Sequence, residues 1–447
     1  MMASRSGWST KTVGEIAAPQ RNALVGGPFG SDLVGADYTM SGVPVIRGQN
    51  MSHGRWVVGD FAFVSDEKAK RLSSNTARPS DIVFTQRGTL GQIAIVPENP
   101  YEEYVVSQSQ MKLTVDSAMA DPLFVYYIFA SDAMQRHIRT HAIQTGVPHI
   151  NLGILRNVSL TLPPLSEQQA IAEVLGALDD KIELNRRMNA TLEELARTIF
   201  RSWFVDFDPV HAKAEGRAPF GMDADTAALF PDSFVPSEVG DIPAGWWTPE
   251  VSHLASLSRQ SIQPQSFALD DFDLYSLPAF DSGRMPARVN GASIKSGKFI
   301  VPKNSILLSK LNPSIPRVWL PDVEGTVQAI TSTEFLVFQP SHEPDRVFIY
   351  FLFQDRGFRE FLTGLASGTS NSHQRVRPDD VVEQNIICPK DRLRDAFNEM
   401  ATPMIDRIAA NLRESRTLAE LRDTLLPKLL SGEITVKAAE RELVSAT

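Results

Sequence analysis

Residues Pro163 to Trp203 read PPLSEQQAIAEVLGALDDKIELNRRMNATLEELARTIFRSW. Ile171, Leu178, Asn185, Leu192 and Ile199 recur seven apart. That spacing keeps one helix face turned toward one partner helix. Val174, Leu175, Ile182, Met188 and Leu195 flank the column and widen it into a helix–helix seam. Ser166, followed three residues later by Gln169 and preceded by two prolines, has the form of a capping box, so the helix is expected from Ser166 to Trp203. About 38 helical residues span roughly 57 Å, the length of a spacer rod.

The stretch occurs twice. Adding 226 to each number carries Pro163 onto Pro389, Glu173 onto Glu399, Asp180 onto Asp406, Asn185 onto Asn411 and Glu194 onto Glu420, without a gap. The second column is Phe397, Met404, Asn411, Leu418 and Leu425, again with asparagine in the middle. We read a duplication. Amides at the centre of two apolar seams cost stability and fix register.

The 447 residues are 43% hydrophobic and 22% charged, the balance of a soluble chain of several domains. No apolar run reaches the roughly 18 residues of a membrane span, and the first residues do not form a signal peptide. The single cysteine, Cys388, excludes an intrachain disulfide and, in an apolar run, is expected to be buried; the expected compartment is the cytoplasm. Net charge is −9, yet 133–166 and 282–321 each hold a cluster of basic residues and no acid. Such windows on an acidic body suit a local polyanion-binding face.

Around the rods lie two stretches of short strands and polar turns. In the first, the strands Pro44–Arg47, Asp81–Gln86, Gln92–Pro97 and Tyr104–Val115 are followed by an amphipathic helix over Phe124–Ile138 and by the turn Thr145–Asn151. In the second, Asn304–Asn312, Ala329–Phe338, Phe348–Leu362 and Ser367–Arg375 stand in the same order. The expected fold class is α+β: two recognition domains of mixed short strands and helices, separated by two long antiparallel helices with an internal pseudo-two-fold repeat. The expected boundaries are 1–162 for the first domain, 163–205 for the central spacer helix and 206–235 for a linker. They continue with 236–388 for the second domain, 389–430 for the C-terminal spacer helix and 431–447 for a tail.

No catalytic constellation emerges. Gly291–Phe299 departs from a phosphate loop, because its second glycine is late and Phe299 stands where Ser or Thr must hold magnesium. The Asn/Asp-Pro-Pro-aromatic string of amino-methyltransferases is missing, Asp66-Glu67-Lys68 is an isolated triplet, and the eight histidines show no metal-ligand spacing. No cofactor and no metal are expected in this chain.

What the turns do carry are side chains able to read base edges. The first domain offers Arg47, Gln49, Gln86, Arg87, Gln108, Ser109, Gln144, His149 and Asn151. The second offers Arg284, Arg288, Lys310, Asn312, Arg317, Asn371, His373 and Arg375. Arginine can take guanine O6 and N7 together, and Asn or Gln can take adenine N6 and N7. Glycine beside Arg47 and Arg87 lets backbone approach a phosphate. Polar loops on any protein offer similar side chains, and a coiled-coil scaffold whose globular ends bind protein partners is the alternative reading.

The sequence resembles the specificity subunit of type I restriction–modification enzymes. The resemblance is carried by Leu162-Pro-Pro-Leu-Ser-Glu-Gln-Gln, Asp179-Asp-Lys-Ile-Glu-Leu-Asn-Arg and Phe200-Arg-Ser-Trp-Phe-Val-Asp-Phe. Asp81-Ile-Val-Phe-Thr-Gln-Arg-Gly, Gly240-Asp-Ile-Pro-Ala-Gly-Trp and Leu426-Pro-Lys-Leu-Leu-Ser-Gly-Glu-Ile extend it over nearly the whole chain. The second domain departs most: Lys310-Leu-Asn replaces the Arg-Gly turn, and Lys390-Asp-Arg-Leu-Arg replaces the first rod's entrance. The resemblance implies a non-catalytic subunit of a phage-defence system that reads a gapped bipartite site in double-stranded DNA. It also implies two docked methyltransferase subunits that bring S-adenosylmethionine, nuclease/translocase subunits as optional further partners, and no membrane.

Overall fold

The computed structural model of the protein describes residues 7–51, 54–144, 147–323, 325–367 and 374–446. Two compact units divide the chain in the middle of both rods. Unit 1 is Met1–Asn185 with Glu414–Thr447, and unit 2 is Arg186–Arg413.

In unit 1, Leu24–Gly26, Gln110–Leu113, Ile82–Thr85 and Ile93–Ile95 form a four-stranded antiparallel sheet in that order. A five-stranded sheet runs Tyr38–Thr39, Ala62–Val64, Val43–Ile46, Tyr104–Val106, Thr76–Ala77, with one parallel pair, Val43–Ile46 beside Tyr104–Val106. The stretch from Tyr104 to Val115 is thus two strands in two sheets, and its Ser/Gln centre is the crossing between them. A Cβ on Gly27 would meet the Ser107 carbonyl oxygen at 1.9 Å, so only glycine lets the chain pass this crossing.

Unit 2 repeats the plan. Its antiparallel sheet runs Ala255–Ser258, Phe335–Pro340, Ile306–Ser309, Val318–Trp319. Its mixed sheet runs Ser261–Ile262, Lys298–Ile300, Gln328–Thr331, Asp271–Tyr275, Ala287–Asn290, again with one parallel pair, Asp271–Tyr275 beside Gln328–Thr331.

The expected amphipathic helix is two helices in both units. In unit 1 Pro122–Ala130 ends at Ser131, whose hydroxyl accepts the Met134 N–H and starts Asp132–His141. In unit 2 Arg346–Gln354 ends before Asp355, whose carboxylate accepts the Gly357 and Phe358 N–H groups and starts Arg356–Leu365. A side chain that satisfies the first N–H groups of a new helix competes with continuing the old one.

The rods are helices Leu165–Phe204 and Asp391–Ser431. Ser166 therefore lies inside the first turn and does not cap it. Gln168 does the work expected of the capping pair: its Nε2 donates to Pro163 O at 2.8 Å and its Oε1 accepts the Asp121 N–H at 3.0 Å. At the position 226 later, Arg394 donates to Pro389 O at 3.1 Å and grips Asp345 at 3.0 and 3.1 Å. The divergent second entrance keeps the same lock with a charged pair.

Within unit 1 the rod segments pack Ile171, Leu175 and Leu178 against Leu418, Leu425 and Leu429. They run antiparallel, since Asn185 bonds Glu414 and Ser415 while Asp179 bonds Arg422. Within unit 2, Ala196, Phe200, Trp203 and Phe204 pack with Leu393, Phe397, Ala401 and Ile405. Asn411 bonds Asn189 there, while Phe397 contacts Phe200 and Trp203, so these segments are antiparallel too. Asn185 and Asn411 are both buried, Leu192, Ile199 and Met404 are partly so, and Leu195 is exposed because it lies outside the seam.

The 206–235 stretch contains two short helices, Asp208–Ala214 and Ala224–Ala228, with Val210 and Phe230 in the unit 2 core. Val436–Ala446 is a helix that buries Ala439 in the unit 1 core. No helix among the described residues is long and apolar enough to cross a membrane.

Candidate nucleic-acid interface

Three loops of unit 1 meet where their strands end. Gln86 and Arg87 follow Ile82–Thr85, Ser109 precedes Gln110–Leu113, and His149 lies beyond the helix pair. Backbone bonds lace them together: Gln86 N–H to Ser109 O at 2.7 Å, Ile150 N–H to Gln86 O at 3.0 Å, and Thr85 N–H to Gln92 O at 3.0 Å. Ile143 and His149 exchange bonds of 2.8 and 3.2 Å.

Unit 2 builds the same confluence bond for bond. Lys310 N–H reaches Glu334 O at 2.9 Å, Val376 N–H reaches Lys310 O at 3.1 Å, and Ser309 N–H reaches Arg317 O at 2.9 Å. Ser367 and Arg375 exchange bonds of 3.0 Å in both directions. Lys310 thus stands where Gln86 stands, Arg317 for Gln92, Glu334 for Ser109 and Arg375 for His149. One backbone frame presents two different sets of side chains.

In unit 1 the confluence opens into a depression of about 380 Å³. Gln49, Arg87 and Ser109 line it, joined by Thr85, Thr89 and Gln110. Asn50, buried at 0% exposure, holds the turn that carries Gln49: its Oδ1 accepts the Arg47 N–H, and its Nδ2 donates to Val58 O and Asp60 O. Arg87 is exposed, next to Gly88 at φ +100°, and forms no ion pair among the described residues. Beside this surface, helix Asp132–His141 leaves Arg136, His137, Arg139 and His141 exposed, so the arginines of this part of the first basic window face solvent.

Other predicted residues have structural duties. Gln108 ties down the 30–33 turn through Gly30 O and Leu33 O, both at 2.8 Å. Asn151 caps helix Leu152–Arg156 by accepting the Ile154 N–H at 2.8 Å. Gln144 is exposed, and His149 Nδ1 lies 3.1 Å from Val147 O.

The arginines of the second basic window are not free charges, because acids from elsewhere in the chain meet them. Arg284 is committed to the first rod, with Nη1 at 2.9 Å from Glu193 Oε2 and Tyr350 bonding the same carboxylate. Arg288 is paired with Asp273, and Arg317 with Asp281. Arg375 is paired with Glu334. Lys310 and Asn312 lie at the confluence, where Asn312 takes φ +49° and donates its N–H to Gln374 O at 2.8 Å. Asn371 and His373 lie outside the described residues.

Sequence reading missed Glu334, Asp273 and Asp281, and in unit 1 Thr85, Thr89 and Gln110. For Thr85, Gln110 and Glu334 the available signal was a polar residue at the end of an otherwise apolar strand. Cys388 is fully buried, and burial pushes its thiol up to about 11, so it is no nucleophile at neutral pH.

Two mixed-sheet modules with matching loop confluences, each packed on antiparallel segments of the long helices, define a chain of two repeated modules. The comparisons agree. Residues 6–194 match the type I restriction modification DNA specificity domain. The type I restriction enzyme HindI specificity subunit of Haemophilus influenzae is 28% identical over 408 residues, covering 80% of this chain and 87% of that one. The MjaIX specificity subunit of Methanocaldococcus jannaschii is 23% identical over 393 residues, covering 84% and 82%. The type I restriction–modification S subunit from M. genitalium shares the fold at a TM-score of 0.55 and 15% identity, over 94% of this chain and 96% of that one. Over most of its length the chain is thus similar to the specificity subunits of type I restriction enzymes, and its residues 6–194 carry the match to their DNA specificity domain.

Proposed function

We propose that this chain reads a gapped, bipartite site in double-stranded DNA, one half with each confluence. We propose further that it docks two methyltransferase subunits, which supply S-adenosylmethionine chemistry on adenine. The observation that carries the reading is the confluence built twice, bond for bond, with different side chains at each matching position. A frame held constant while its presented groups diverge suits two different half-sites. The first module would use Arg47, Gln49, Gln86, Arg87 and Ser109 near the depression, with Arg136 and Arg139 on backbone phosphates. The second would use Lys310, Asn312, Arg317 and Arg375.

Two half-sites read from one face of a duplex have centres about one helical turn apart, roughly 10 base pairs. The test is to assemble the chain with methyltransferase subunits of a type I system, supply S-adenosylmethionine and map the methylated adenines. The expected result is two constant blocks flanking a gap of fixed length. A single continuous block would contradict the bipartite reading, and binding without sequence preference would favour a protein scaffold.

A further inference from the structure

Three arginines of unit 2 are gripped in one manner. Arg288 places Nε and Nη2 at 2.7 and 3.2 Å from the two carboxylate oxygens of Asp273. Arg317 places the same two nitrogens at 2.8 Å from those of Asp281. Arg375 places them at 3.0 Å from those of Glu334. In each case the carboxylate takes the flank between Nε and Nη2. A guanidinium has five N–H groups in a fixed plane. The grip uses two of them and leaves one hydrogen on Nη1 and one on Nη2 pointing forward in parallel. That forward edge matches the O6 and N7 acceptors of guanine in the major groove.

Arg375 differs from the other two in position. Its backbone is pinned by the paired bonds with Ser367, and Glu334 is pinned through the Lys310 N–H to its carbonyl. Both partners therefore belong to the loop confluence. The Arg375 side chain is 43% exposed, whereas Arg317 is 13% exposed. Arg288 lies on Ala287–Asn290, the edge strand of the mixed sheet. The matching place in unit 1 holds His149 over Ser109, which cannot form such a fork.

The pairing also sets what Arg375 contributes. A carboxylate at hydrogen-bond distance cancels the guanidinium charge as seen by distant phosphates, so the pair adds little to the salt-dependent attraction. What remains is directional donation from a side chain whose rotamer is fixed by a second group. We infer that Arg375, oriented by Glu334 as a positioning residue, reads one guanine in the half-site taken by unit 2. This rests on the DNA-reading function proposed above and adds a base, a donor edge and a residue that aims it.

The experiment maps methylation by the complete complex of this chain with its methyltransferase subunits, for wild type, R375A, R375K and E334Q. Binding of the same complexes to the wild-type site is measured across a salt series. The wild-type motif is expected to carry a constant guanine in one half. R375A is expected to lose roughly 5- to 150-fold discrimination at that position alone, the equivalent of about 1–3 kcal/mol for a bidentate base contact. R375K and E334Q should relax the same position, since lysine cannot fork and glutamine cannot hold both nitrogens. The other half-site should be unchanged in every variant, which also reports that the chain is folded. The slope of log affinity against log salt should not move.

A slope reduced by about 0.9 with an unchanged motif would make Arg375 a phosphate contact and overturn the inference. So would a wild-type motif with no guanine in the affected half, or an R375K or E334Q motif identical to wild type. A wild-type complex without any sequence preference would instead defeat the DNA-reading function itself.

Discussion

In unit 2 the side-chain amide of Asn411 donates to Asn189 Oδ1 at 2.7 Å, from a position only 1% exposed in the rod seam. In unit 1 Asn185 donates to Glu414 Oε2 at 2.8 Å and to Ser415 Oγ at 3.3 Å. Asn189 and Ser415 are related by the same step of 226 that relates Asn185 to Asn411. Each half of the repeat therefore bonds its central amide to the residue four places beyond the repeat equivalent of that amide.

The two partners in this bond should respond with opposite signs. Asn411→Leu is expected to stabilise unit 2 by about 1 kcal/mol, because leucine suits the seam and Asn189 still reaches water. Asn189→Leu is expected to destabilise by about 1 kcal/mol, because it removes an acceptor from a buried amide. Thermal unfolding of the two variants should move the midpoint in opposite directions. Both variants moving the same way would remove the amide's assigned cost.

The second rod's entrance rests on Asp345, 2% exposed and held by both ends of the Arg394 fork and by Asn398 Nδ2 at 3.3 Å. Asp345→Ala should destabilise by up to about 3 kcal/mol, since it removes the buried half of the pair and leaves the guanidinium only Asp391, at 3.1 Å and largely exposed, as a carboxylate partner. Adding Arg394→Gln should restore a large part of that loss, because glutamine does the same task at Gln168 in unit 1. A double-mutant cycle in denaturant measures the coupling; additive effects would contradict the lock.

The rods and their repeat were legible because a seam of spacing seven writes itself into contiguous sequence. The strand order was legible for the same reason, as apolar runs between polar turns. Charge cancellation was not legible. The acids that meet Arg288, Arg317, Arg375 and Arg284 lie 15, 36, 41 and 91 residues away. Charges counted along the chain therefore say little about which cations are free in space, as the arginines of 282–321 illustrate, while 133–166 keeps Arg136 and Arg139 exposed on one helix. The break at Ser131 was hidden too, since Phe124 to Ile138 is apolar enough to read as one helix and only the cap geometry divides it.

Arg87 should behave unlike Arg375. It is exposed and has no carboxylate partner among the described residues, so its charge is available to a phosphate. Arg87→Ala in the assembled complex should weaken DNA binding and lower the salt slope by about 0.9. An unchanged slope would remove Arg87 from the phosphate contacts.

The buried thiol gives a pH dependence with a definite sign. In the folded chain Cys388 titrates at about 11, above its ordinary value near 9, because burial disfavours the thiolate. The native state thus keeps its proton to higher pH than the unfolded state. This contribution is fully present below pH about 9 and is lost as pH rises toward about 11. Cys388→Ala should flatten the fall in stability across that window. Alkylation of native protein at neutral pH should be slow and should become fast on unfolding; rapid native alkylation would contradict the burial.

The central claim is that the two modules read separately. Exchanging residues 1–162 for those of a relative with a different target, and mapping methylation by the assembled complex, tests it most directly. The account predicts that one block of the motif changes while the other block and the gap between them stay as they were. A motif in which both blocks change together would contradict it.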